Sequence, residues 1–207
     1  MKICIFAETL KFDTRLYNTL CIRLLSECFS IYSPTIVEHI FDPGGHGQLI
    51  KQAPTLIDLY AYTNPDIDIF FIFRDSDDLT YFNRRRKIKA KFSREVKDFG
   101  LNSIVIACPQ RNIEAWLLSD FSTINSITGL TLSIFDKAEL IADPKKEFEN
   151  VYDSTGKRDT IENFAYEIIK KIDINTLCDR SRAFYSFHNE LVGLISRIEP
   201  SHRHRTH

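Results

Sequence analysis

Ile67-Asp68-Ile69-Phe70-Phe71-Ile72-Phe73 is an almost unbroken apolar run, and it gives way at once to Arg74-Asp75-Ser76-Asp77-Asp78. A strand that is apolar at nearly every position is buried on both faces, as in a parallel sheet covered by helices above and below. Three carboxylates then crowd the point where that strand meets solvent. Such a cluster repels itself unless a cation sits between its oxygens, and the hard divalent ion such oxygens suit is magnesium (or manganese).

Moving outward, the first half of the chain alternates strand and helix patterns. A strand is expected at 2–7 through Ile3-Cys4-Ile5-Phe6-Ala7, with Glu8 directly after it. Leu16, Leu20, Leu24 and Phe29 recur near helical spacing between Thr14 and Phe29. A short strand at 35–40 follows. The glycine-rich Pro43-Gly44-Gly45-His46-Gly47 then opens a helix at 48–62, which Asn64-Pro65 stops. After the central run, a polar helix is expected at 84–99, closed by Gly100. A fourth strand at 103–108 leads through Pro109 into a helix at 112–121 that carries the only tryptophan, Trp116. Four strands separated by helices imply a doubly wound, mainly parallel four-stranded α/β sheet.

Beyond Ser122 the alternation stops and helices are expected at 136–141, 144–152, 159–171 and 180–198. Asp143-Pro144 supplies an N-cap and a first-turn proline for the second of these. The organisation expected is an α/β core at 1–121, a helical extension packed on it at 122–199, and a disordered tail at 200–207.

The composition, 43% hydrophobic and 27% charged over 207 residues, is that of a globular protein. With 27 basic and 28 acidic residues the average charge gives no signal for nucleic acid, so any such binding must come from local patches. Cys4, Cys21, Cys28, Cys108 and Cys178 include no C-x-x-C pair and read as buried reduced thiols, with Cys21 and Cys28 on one helix face. The first apolar run is too short for a signal peptide and no span is long enough for a membrane, so a soluble cytoplasmic protein is expected.

Asp75 and Asp77, two apart just past a strand, can approach one cation as the chain turns, and Asp78 directly or through water. Glu8, from a neighbouring strand end, would complete an oxygen-rich site. The alternative is that Asp75 to Asp78 merely cap the following helix. A phospho-acceptor site fits less well, since it expects a pair of acids after the first strand and a lone aspartate after the central one. Glu114 falls in the first turn of the helix after the fourth strand, as an active-site acid or as a glutamate favoured by the helix dipole. Gly45 and His46 could present backbone donors to a phosphate, although the loop matches neither the P-loop nor the dinucleotide pattern. Arg84, Arg85, Arg86 and Lys87 form either a solvated face or a track for a phosphate backbone.

Glu8 after the first strand, Asp75-x-Asp77-Asp78 after the central one, and Ile113-Glu114-Ala115-Trp116-Leu117-Leu118 together resemble the Toprim (topoisomerase–primase) fold. More narrowly they are similar to stand-alone Toprim-like proteins of the RloB type from bacterial defence loci. Asp143-Pro144-Lys145, Tyr152 with Lys157, and a helix pair ending in Phe184 and Leu191 fit the same relatives. The resemblance implies a magnesium-dependent nuclease. Glu8 would be the general acid/base, Asp75 and Asp77 would hold the metal, Glu114 would be a further acid, and Lys157 would face the scissile phosphate. Arg111 and Lys145 join the expected phosphate contacts. Thr9 stands where many Toprims have glycine. No topoisomerase tyrosine context and no ATPase motif is present, so hydrolysis of DNA or RNA is implied, with a separate ATPase subunit and a homodimer as expected partners. The rival readings are a regulatory module that binds such an ATPase and a small-molecule phosphohydrolase.

Overall fold

The four strands β1 (Lys2–Ala7), β2 (Thr35–Phe41), β3 (Ile69–Phe73) and β4 (Ile104–Ala107) form one sheet in the order β2-β1-β3-β4. Every neighbouring pair is parallel. The computed structural model describes residues 1–7, 14–41, 48–77, 80–97, 102–132, 138–156 and 159–203. Register places Ala7 and Ala107 on either side of Phe73, so the carboxyl ends of the three strands lie level. The chain winds outward from β1 to β2, then crosses back to β3 and on to β4. The reversal falls between β1 and β3, where an open α/β sheet forms its ligand crevice.

Side chains alternate across the sheet with a period of two. Ile3, Ile5, Ile69, Phe71, Phe73 and Val105 pack with α1 (Thr14–Phe29) and with the C-terminal helices. Cys4, Phe6, Phe70, Ile72 and Ile106 pack with α2 (Gln48–Thr63) and α3 (Tyr81–Glu95). The sheet is thus doubly wound, as the apolar run at 67–73 requires.

Boundaries moved where local capping overruled periodicity. α3 begins at Tyr81 rather than Arg84 because the Thr80 side chain accepts a hydrogen bond from the Asn83 amide. It ends at Glu95, since the buried Val96 takes extended backbone; Gly100 lies outside the described residues. The single helix expected at 112–121 is two, α4 (Glu114–Leu117) and α5 (Phe121–Thr128), because Asp120 caps the second and so ends the first. A 3-10 turn at Ala138–Leu140 replaces the helix expected at 136–141.

Asp143 and Pro144 open α6 (Pro144–Ser154) in the expected roles. α7 (Ile161–Lys171) follows, then α8 (Ile174–Arg180), where no helix was expected, and the helix expected at 180–198 is α9 (Arg182–Arg203), which starts after the break at Ser181. The Ser181 hydroxyl accepts from the Phe184 amide and donates to Glu139. Because the ladder of α9 runs on to Arg203, backbone at 200–203 is helical where a disordered tail was expected. None of the five cysteines forms a disulfide. Cys21 is buried and Cys28, nearer the end of α1, is exposed, so shared helix phase did not give shared burial.

The helices after residue 121 share the core of the sheet. Phe187 of α9 lies 6.2 Å from Phe71 and 6.1 Å from Phe73, and its ring stacks on Trp116 at 5.8 Å. α9 also guards the open edge of β4. The Ile106 amide, pointing away from β3, donates to Glu190 at 3.4 Å, and Glu190 pairs with Arg85 at 2.6 Å and with Lys89. A carboxylate on an exposed strand edge discourages pairing with a second chain.

Phe187→Ala should cost about 3–5 kcal/mol, the usual price of opening such a cavity. Urea unfolding followed by circular dichroism and by Trp116 fluorescence should give coincident single transitions. Separated transitions would instead mean that the helical part folds on its own.

Candidate active site at the carboxyl edge of the sheet

Where β3 runs out, its hydrogen bonding continues into the neighbouring loop. The Arg74 amide donates to Ala107 O at 3.0 Å, Ser76 N to Pro109 O at 3.3 Å, and Asp77 N to Arg111 O at 3.1 Å. In return the Arg111 amide donates to Ser76 Oγ at 2.6 Å, and Gln110 Oε1 accepts from the Tyr81 amide at the start of α3. Asp77 (φ 50°) and Arg111 (φ 65°) are both left-handed, a conformation that strains residues with side chains and persists only where surroundings impose it. Here they face each other through a hydrogen bond, so the two loops hold each other in place.

This pairing turns Asp75 toward Glu114, the first residue of α4 and a buried one. Burial is the largest influence on Asp75, followed by the negative charges of Glu114 and Asp77; they push its carboxyl up to about 7 against the opposing pull of Arg74 and the Ile113 amide. Tyr17 of α1 joins them, with its ring 4.8 Å from Phe73. Burial first, then the charges of Asp75 and Glu114, raise its phenol well above the usual range. Three elements therefore converge on one pocket of negative potential. Sequence reading singled out Asp75 and Glu114 but passed over Tyr17. Its signal was there, one turn into the helix that follows β1, but masked by the leucine periodicity beside it.

Asp77 has a different environment. Its Oδ2 accepts from Arg74 Nη2 at 3.0 Å and from Arg84 Nη2 at 2.9 Å, so two guanidiniums already neutralise it. The helix-cap alternative fails for Asp75 and Asp77, because Thr80 caps α3. Glu8 and Asp78, expected to complete the metal set, lie outside the described residues, as do Gly45, His46 and Lys157. Among the described residues no group of three or more histidine, cysteine, aspartate or glutamate side chains converges as a metal cage. The chemistry of the remaining donors nevertheless fits magnesium, which keeps several waters and needs one or two carboxylates. Asp75 and Glu114 are such a pair, the Glu114 charge being one of those that raise the Asp75 carboxyl.

Beside the acids, Arg84 and Arg111 line an open cavity of about 630 Å³ together with Asp75, Asp77, Asn112, Asp143 and Pro144. Lys145 stands beside Pro144 in the first turn of α6. The rest of the basic run points elsewhere. Arg85 is bound to Glu190 and Ser186, Arg86 lies over the Phe82 ring, and Lys87 is exposed. The expected phosphate contacts are thus brought together at Arg84 and Arg111 and dispersed at Arg85, Arg86 and Lys87, because successive residues of a helix point in different directions.

Residues 48–192 match DUF4276, a domain of unknown function, and the chain belongs to this family. The matched span holds Asp75, Asp77, Arg84, Arg111, Glu114 and Glu190, and starts after β1 and β2. No curated protein and no solved structure matches the chain.

The raised carboxyl of Asp75 makes stability fall with pH. Its value moves from 3.8 to about 7 on folding, so between these limits the folded chain holds the extra proton. The stabilisation is complete below the lower value and lost as pH rises through the upper one. In chelator, urea denaturation should show wild type losing stability, by up to about 4 kcal/mol, from about pH 4 to about pH 8. Asp75→Asn should remove this slope and gain stability relative to wild type at the alkaline end. An unchanged slope would assign the titration to another group.

Proposed function

We propose that this chain hydrolyses phosphodiester bonds in nucleic acid with a magnesium or manganese ion held by Asp75 and Glu114. The observation that carries the reading is a buried Asp75, its charge opposed by that of Glu114, lining one cavity with Arg84 and Arg111 at the sheet's switch point. A cation bound there would neutralise charge that develops on the phosphate and lower the pKa of a coordinated water. Arg84 and Arg111 bind and orient the phosphate, their guanidinium groups matching its oxygens. Arg74, buried behind Asp77, holds that carboxylate and with it the turn that aims Asp75. The buried phenol of Tyr17 keeps its proton beside the charges of Asp75 and Glu114.

The Toprim resemblance supports the same reading through placement, since Asp75 and Asp77 follow the central strand and Glu114 follows the next. Glu8 as acid/base, a cytoplasmic location, service in defence against phage or foreign DNA, and an ATPase partner belong to this proposal and rest on sequence. No helix among the described residues is long and apolar enough to cross a membrane. One observation favours the regulatory reading instead: Asp77, half of the D-x-D pair, is already neutralised by Arg74 and Arg84.

Incubation with linear DNA, plasmid and structured RNA in magnesium or manganese should give cleavage of at least one of them that chelator abolishes. Asp75→Asn and Glu114→Gln should each lower the rate by at least about 100-fold, and Asp77→Asn by only about tenfold, since its partners are protein cations. Cleavage that survives the Asp75→Asn, Glu114→Gln double variant would place the activity elsewhere. Metal-dependent stabilisation without turnover would support the regulatory reading.

A further inference from the structure

The basic run that could have guided a long polymer is engaged within the protein. Arg84 is bound to Asp77, Arg85 and Lys89 to Glu190, and Lys91 to Glu95. Arg86, Lys87 and Arg94 of that helix stand exposed without a carboxylate partner among the described residues, and they do not line the cavity. The cavity instead carries two guanidiniums, Arg84, which Asp77 holds in place, and Arg111, beside the carboxylates of Asp75, Asp77 and Asp143. A continuous duplex needs an extended row of phosphate contacts. Among the described residues this surface provides a spot.

The cavity itself has the dimensions of a small-ligand site. Its volume of about 630 Å³ lies in the range that holds one nucleotide, and Ala142, Asp143 and Pro144, where the chain turns into α6, stand across one side. Two polar atoms of its lining residues are buried without a hydrogen-bond partner, Nε of Arg84 and Oδ1 of Asn112. One is a donor and the other an acceptor, and buried polar groups without partners are rare enough to need an explanation. A ligand that offers an acceptor oxygen to the first and a hydroxyl or amine to the second would serve both. A phosphate supplies the oxygen, and the sugar or base of the same nucleotide supplies the donor.

We infer that this cavity receives a single phosphomonoester-bearing nucleotide, as the phosphorylated end of a strand or as a free nucleotide, and does not receive the interior of a duplex. The inference rests on the arginines of the proposed site and narrows its substrate class. Arg111 is the residue that reads the terminal phosphate. Its exposed side chain can be removed without loss of the fold, because glycine adopts its left-handed backbone without strain.

The test is binding in calcium, to limit turnover. The ligands are single strands of about twelve nucleotides bearing a 5′-phosphate, a 3′-phosphate or hydroxyls only, a closed circle of the same sequence, and nucleoside 5′- and 3′-monophosphates as competitors. One phosphorylated linear strand should bind about tenfold tighter than the hydroxyl strand and the circle, and Arg111→Gly should remove the difference while circular dichroism and the unfolding midpoint stay close to wild type. Competition by a monophosphate, with no strand bound, would assign the same chemistry to a free nucleotide. Equal binding of circle and phosphorylated strand, or an end preference that persists in Arg111→Gly, overturns the inference. Its failure is separable from that of the hydrolysis reading: efficient cleavage of circles would leave hydrolysis standing and remove end recognition. Phosphate-dependent binding without cleavage would do the reverse.

Discussion

Burial of β3 on both faces is the constraint from which the rest of this structure follows. Ile69 to Phe73 meet helices above and below, so no polar side chain can be placed within the strand itself. Polar and charged groups are therefore displaced to its carboxyl end, where the backbone first leaves the sheet. Level registry with β1 and β4 then brings the ends of three strands into one line. The acidic turn stands where it does because the strand before it excludes it.

At that edge the protein divides its carboxylates. Asp77 is satisfied by Arg74 and Arg84, and with the left-handed backbone of Arg111 it fixes the loop. Asp75 lies between Glu114 and Asp77 with its charge disfavoured, and its raised carboxyl records the conflict. One aspartate serves geometry and the other reactivity, a division that accepts a cost in stability at neutral pH. Perturbed carboxylates of this sort gather where chemistry is done, though ion-pair networks also produce them.

The C-terminal helices act in the same economy of contacts. Phe187 and Trp116 join α9 to the underside of the sheet, and Glu190 links the edge of β4 to α3. Arg85 and Lys89 are drawn into that link, which turns a run of basic residues from a surface track into a clasp. What remains basic in the lining of the cavity is the pair Arg84 and Arg111, delivered by α3 and by the loop after β4.

The strand order of apolar runs, their lengths and the glycine and proline stops between them were enough to specify a doubly wound parallel sheet with a helical continuation, because burial and chain punctuation are local properties. Asp75, Glu114 and the Asp143-Pro144 helix start were legible for the same reason, each being defined by its offset from a strand or a cap. Helix limits at 81–95 and the break at Asp120 were less so, since single capping hydrogen bonds decide them. The partners of Asp77, the diversion of Arg85 to Glu190, the exposure of Cys28 and the presence of Tyr17 beside Asp75 came only with the tertiary structure. These depend on which distant surfaces meet, and the free energy of an ion pair or a buried phenol is set by its surroundings in space, not by its neighbours along the chain.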